Sequence, residues 1–134
     1  MLYKKGLAIG LLAFSIAAQS ATSEDLTRTT QSWDGQTLPA YTLNQPEVTI
    51  KKITVAPGEK LPWHQHPVIN AGILLSGELR VTTAEQVLEL KEGDTIVEVM
   101  NTSHFGENTG KTPAEIIVFY LAEKGAEVTV LDKK

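Results

Sequence analysis

From Glu47 onward the chain is written in short apolar runs broken by Gly, Pro, Asp and Asn. Val48, Ile50, Ile53 and Val55 predict a strand that stops at Pro57-Gly58. Ile73-Leu74-Leu75 leads into a Ser76-Gly77-Glu78 turn and a strand over 79–83. A strand over 87–90 precedes the Lys91-Glu92-Gly93-Asp94 turn, and residues 95–100, 115–121 and 127–131 complete the set. Outside the first residues, no window holds the i, i+3, i+4 spacing of an amphipathic helix over three turns. Seven or eight short strands at regular spacing predict an all-β sandwich or barrel. Residues 116–120 are apolar at odd and even positions alike, so that strand is expected to be covered on both faces by a second layer or a subunit.

The region before this pattern differs. Residues 21–46 are rich in Thr and Ser, with Asp34-Gly35 and prolines at 39 and 46. They are expected to form a polar arm with one short strand around 37–43. Lys4 and Lys5 precede an apolar run over 6–18, followed by small residues at 18, 20 and 21. A charged start, a short apolar stretch and small residues predict an export signal over 1–20, with a periplasmic or secreted product. Thirteen residues at helical rise reach only about 20 Å, short of the ~30 Å hydrocarbon core, which argues against a membrane anchor. No membrane association is expected once the signal is cleaved.

Composition removes several classes of function. The formal net charge is −4, and cleavage of the signal removes two lysines and makes it more negative. No basic stripe is left to neutralise phosphates, so nucleic acid is not an expected partner. With no cysteine there is neither a disulfide nor thiolate chemistry. The mature domain must be held by burial, helped by a metal or a second subunit.

The chain has three histidines, and all three fall in two spaced motifs. The first reads Gly58-x5-His64-x-His66-x3-Asn70-x6-Gly77; the second reads Gly93-x5-Val99-x-Asn101-x2-His104-x3-Asn108. On a strand, residues i and i+2 share a face, so His64 and His66 can lean toward one ion at about 2.0–2.2 Å. His104 follows roughly forty residues later, just after the strand over 95–100, and only a closed sheet can bring it opposite the pair.

Spacing for spacing, the two motifs resemble those of the cupin superfamily, over about residues 58–108 with family-like strands to about 121. The resemblance implies a single cupin-type antiparallel β-barrel, jelly-roll-like, over 47–134 behind the N-terminal arm of 21–46. It implies a metal in the barrel mouth held by His64, His66 and His104. Three positions depart from the family pattern. Asn70 stands where a glutamate commonly gives a fourth ligand, and Val99 and Asn101 replace a proline and a glycine. Asn tolerates positive φ, so Asn101 is expected to keep the turn.

Glu98 interrupts an apolar run six residues before His104, and some cupins lacking the first-motif glutamate carry one there. The resemblance extends to β-diketone-cleaving dioxygenases, three-histidine cupins with an acidic residue near the metal. Two placements stay open: Glu98 faces the metal as base, ligand or orienting group, or it faces solvent between buried neighbours. Asn70 is expected to donate a hydrogen bond to substrate. Phe105 and Tyr120 are candidate pocket residues, weighed against plain core packing. Gln65 and Trp63 have the opposite parity to the histidines and should point away.

These residues lead to an exported metal-binding cupin, with a three-histidine dioxygenase acting on a small chelating molecule as the first expectation. A non-redox isomerase or lyase, a ligand-binding protein without turnover, and a purely structural metal are the alternatives. The divalent ion is left open among iron, zinc, nickel, copper and manganese. A homodimer is the preferred assembly.

Overall fold

The computed structural model describes residues 20–133. The expected export segment therefore lies, but for Ser20, outside the described residues. These contain nine strands and no helix: β1 Pro46–Val55, β2 His64–Gln65, β3 Ile69–Ser76, β4 Glu78–Thr83, β5 Val87–Lys91, β6 Thr95–Val97, β7 His104–Glu107, β8 Ala114–Glu123 and β9 Val130–Leu131. They form two antiparallel sheets, one ordered β1-β8-β3-β6 and the other β5-β4-β7-β2-β9. The expected all-β barrel is what the chain forms.

Alternation explains how the sheets close on each other. Along β8, Ala114, Ile116, Val118, Tyr120 and Ala122 are buried and face the second sheet. From β3 and β4 come Leu74, Leu79 and Val81, and from β1 comes Val55; together they make the core. The other face of β8 is also apolar, as the sequence predicts, but its cover is partial. Phe119 and Leu121 stay exposed beside their cross-strand partners Ile50 and Val48 of β1. A shallow cleft lies between residues 24–29 and the outer side of β3, β6 and Phe119.

At the β3–β4 corner Gly77 has φ +80, and a Cβ there would sit 2.6 Å from the Pro113 carbonyl. Only glycine fits that combination of handedness and contact.

Several boundaries move from the sequence expectation. No strand forms over 37–43; instead a bridge joins Gln31 and Thr37 across a turn in which Ser32 donates to Asp34. The polar arm is tied down: Trp33 N–H donates to the Val97 carbonyl, Tyr41 Oη to the Leu121 carbonyl at 2.6 Å, and the Asn44 and Gln45 amides to Glu123. β6 stops at Val97 rather than 100, because the chain turns away to pass Asn101 at φ 51. The Asn101 amide then donates to the His66 carbonyl. Asn101 thus keeps the turn that its motif position requires.

His104 does not follow a strand but opens one. Residues His104-Phe105-Gly106-Glu107 pair with β4, Thr83 opposite His104 and Arg80 opposite Glu107. This shift has consequences at the site.

Candidate metal centre

Strand pairing brings the histidines together. His64 and His104 are direct antiparallel partners between β2 and β7, and His66 lies two residues beyond His64. The ring centroids are 4.9 Å apart for His64–His66, 4.4 Å for His64–His104 and 5.0 Å for His66–His104. One nitrogen from each ring lies within 4.8 Å of the others.

The backbone decides which nitrogens these are. Each Nδ1 sits 2.8 Å from a carbonyl oxygen: Pro62 for His64, Val128 for His66 and Thr102 for His104. A carbonyl can only accept, so each Nδ1 carries the proton and each Nε2 keeps a free lone pair. A partner on the far nitrogen sets the tautomer and orientation of a metal-ligating histidine in the same way.

Electrostatics points in the same direction. Burial lowers the His66 pKa to about 4, and the backbone bond to Val128 offsets only part of this. The neighbouring imidazoles of His104 and His64, and Lys51, push it further down. His104 is lowered too, chiefly by burial. Both are neutral near pH 7, the form that ligates a cation.

Glu98 faces inward. It is 8 % exposed, and its Oε2 lies 3.7 Å from His104 Nε2. With His104 neutral and the separation beyond hydrogen-bond range, this is a contact and not an ion pair. Burial raises the Glu98 pKa to about 7, opposed by a bond from the Val99 amide. Asn70, 1 % exposed, donates its Nδ2 to the Val68 carbonyl at 3.3 Å and leaves its Oδ1 unpaired. Its Oδ1 is thus an acceptor available to the site, and Nδ2 has a second hydrogen beyond the one given to Val68.

Three buried atoms at this site lack a protein partner: His104 Nε2, Glu98 Oε2 and Asn70 Oδ1. Leaving such atoms unsatisfied costs roughly 1–3 kcal/mol each. A divalent cation with its bound water would satisfy them, and the donor set of three neutral imidazoles and a carboxylate suits iron, zinc, nickel, copper or manganese.

The histidines, Asn70, Glu98 and Tyr120 line one end of a cavity of about 210 Å³. Its remaining wall is mostly apolar, with Ile53, Val55, Leu61, Leu79, Val81, Ile116 and Val118. Tyr120 stands 5.6 Å from His66 between ring centroids; burial raises its pKa, opposed by the neighbouring Thr129 hydroxyl.

Phe105 is not brought to the cavity. Because His104 opens β7 facing inward, Phe105 points to the opposite side, where Trp63 packs edge-on at 4.6 Å and Lys60 Nζ lies 3.8 Å over its ring. Trp63 and Gln65 point away from the histidines, as parity predicts. The sequence reading missed Thr129 and Leu131, which line the cavity from the segment after β8, and the Val128 carbonyl. Only the apolar alternation over 127–131 hinted at them.

A family model described as Cupin domain matches residues 51–120. Germin-like protein subfamily 2 member 2 of Arabidopsis thaliana is 36% identical over 81 residues, covering 56% of this chain and 37% of that protein. Among solved structures, DMSP lyase DddQ from Ruegeria pomeroyi matches with TM-score 0.55 at 21% identity, over 63% of this chain and 42% of that one. A salicylate 1,2-dioxygenase from Pseudaminobacter salicylatoxidans matches with TM-score 0.50 at 18% identity, over 55% and 21%. The chain thus spans less than half the length of each of these relatives, and the structural likenesses speak to fold alone.

Proposed function

The chain belongs to the cupin family, and we propose that it is an exported metal-dependent enzyme, a three-histidine dioxygenase acting on a small chelating molecule. The observation that carries this is the set of three Nδ1–carbonyl bonds, which leaves three Nε2 lone pairs converging beside the Glu98 carboxylate. His64, His66 and His104 would hold iron there, and the ion would supply the redox chemistry between a chelating substrate and O2.

The protein's own groups have separate tasks. Buried beside the histidines, the Glu98 carboxylate takes a proton from a carbon acid in its ionised form and holds it within the cavity. Asn70 Oδ1 accepts a hydrogen bond from substrate or water, and Tyr120 borders the same space. The apolar wall excludes water and suits a substrate with a hydrocarbon part. Export rests on the pattern of the first twenty residues, and a homodimer on the exposed apolar face around Val48, Ile50, Phe119 and Leu121.

The same carboxylate supports a second reading. Buried beside the histidines, it would also serve proton transfer without O2, as a lyase or isomerase using zinc, nickel, copper or manganese would require. Pentane-2,4-dione distinguishes the two. Loss of the dione matched by O2 uptake, with iron and not with zinc, is expected for the dioxygenase. Loss without O2 would overturn it in favour of the lyase or isomerase. A shifted cobalt spectrum without turnover would leave a binding protein.

A further inference from the structure

The segment after β8 touches the histidine centre at more points than its size suggests. β9 has two residues and pairs only with β2, Leu131 opposite His64 and Val130 opposite Gln65. Just before it, the Val128 carbonyl accepts a hydrogen bond from His66 Nδ1–H, and Thr129 Oγ1 stands 3.3 Å from the same nitrogen. Just after it comes Asp132. Its amide donates to the Trp63 carbonyl at 3.1 Å. Its Oδ1 accepts from Gln65 Nε2 at 3.3 Å, and its Oδ2 accepts from the Ser103 hydroxyl.

The positions of those two partners matter. Gln65 lies between His64 and His66, and Ser103 precedes His104. One carboxylate therefore joins the two chain segments that present all three imidazoles. On the main chain these segments meet at the His64–His104 pair, at the Leu61 amide on the Gly106 carbonyl and at the Asn101 amide on the His66 carbonyl. The Asp132 carboxylate adds the side-chain link between them, from Gln65 to Ser103.

We propose that Asp132 is a positioning residue: it clasps the two histidine segments and seats residues 128–131 so that the Val128 carbonyl fixes the His66 tautomer. This deepens the metal-centre reading and rests on it for its consequence. Without the clasp, β9 keeps its two-residue pairing and the Asp132 amide bond to the Trp63 carbonyl but loses the carboxylate's hold on Gln65 and Ser103. The His66 ring would then lose its fixed acceptor, and Nε2 would no longer point steadily at the other two nitrogens.

The test uses the full mature chain and cobalt(II) as the probe. Asp132→Ala is expected to weaken cobalt binding by about 10–100-fold, the range usual for a lost outer partner of a metal ligand. It should also alter the visible cobalt spectrum, and Asp132→Asn should restore part of both. Ser103→Ala, a smaller change that keeps the fold, should give a weaker shift in the same direction. In metal-free protein, 15N spectra of the imidazoles should show a single Nδ1–H tautomer for His66 that becomes mixed in Asp132→Ala. If the wild type fails to bind cobalt, the metal reading falls, and the tautomer spectra still decide on the clasp. An unchanged tautomer and cobalt affinity in Asp132→Ala and Ser103→Ala, with or without a lower Tm, would overturn the proposal.

Discussion

The two ends of the central cavity are both buried but built on opposite terms. At the apolar end, Val55, Val81, Ile116 and Val118 meet across the two sheets with no polar atom to satisfy. At the histidine end, four buried residues (His66, His104, Asn70 and Glu98) share a small volume, and three of their polar atoms have no protein partner. The first end contributes stability by burial; the second withholds it and keeps lone pairs available. A fold selected for stability alone would fill that mouth with apolar side chains. The contrast therefore marks the mouth as the working end.

That division can be broken by substitution. The largest effect belongs to the mouth: His104→Ala should remove one of three ligands and abolish tight zinc or cobalt binding, a loss beyond the roughly 10–100-fold of an outer partner. Calorimetric titration checks this, and a variant that binds normally would refute the ligand set. In the apolar core beside the cavity, Leu74→Ala empties a fully buried site. It should cost about 2–5 kcal/mol in urea unfolding, with metal affinity little changed at temperatures where the variant is folded.

Acidity sharpens the contrast. Glu98 has a folded pKa raised to about 7, so its ionisation penalises the native state progressively as pH rises from its ordinary value through 7. His66, lowered to about 4, acts the other way: its neutral form supports the fold above 6.5, and that support is lost as pH falls toward 4. The two partly cancel between those limits. Glu98→Gln should raise metal-free stability above pH 7 by up to about 3 kcal/mol. It should also make the loss on acidification below 6.5 steeper than in the wild type. Parallel urea titrations at several pH values would show a matching slope if Glu98 is not buried as described.

The smallest effect concerns a residue outside both ends. Phe105→Leu should cost about 1 kcal/mol through its aromatic contact with Trp63 and leave ligand affinity in the cavity unchanged. A change in affinity without a change in stability would return Phe105 to the pocket.

The fold was legible because period-2 alternation and turn residues are local signals, and the histidines because no others dilute their spacing. Phe105 stayed open between pocket and core through one boundary: with His104 expected to follow a strand, nothing set the parity of the next residue. Glu98 stayed ambiguous because it sits where β6 ends, between apolar neighbours on both sides. The Val68 partner of Asn70 Nδ2 was not legible, because it belongs to the backbone. The Val128 carbonyl left no trace for the same reason, since a main-chain acceptor carries no residue-type signature.

The three imidazoles are aimed by carbonyls of residues 62, 102 and 128, and every residue type has a carbonyl. No side-chain replacement at those positions can delete the acceptor. The aim of the three imidazoles is in this sense inherited with the course of the chain, while the cavity wall is free to change residue by residue. New ligand preferences can then be explored without rebuilding the centre that would act on them.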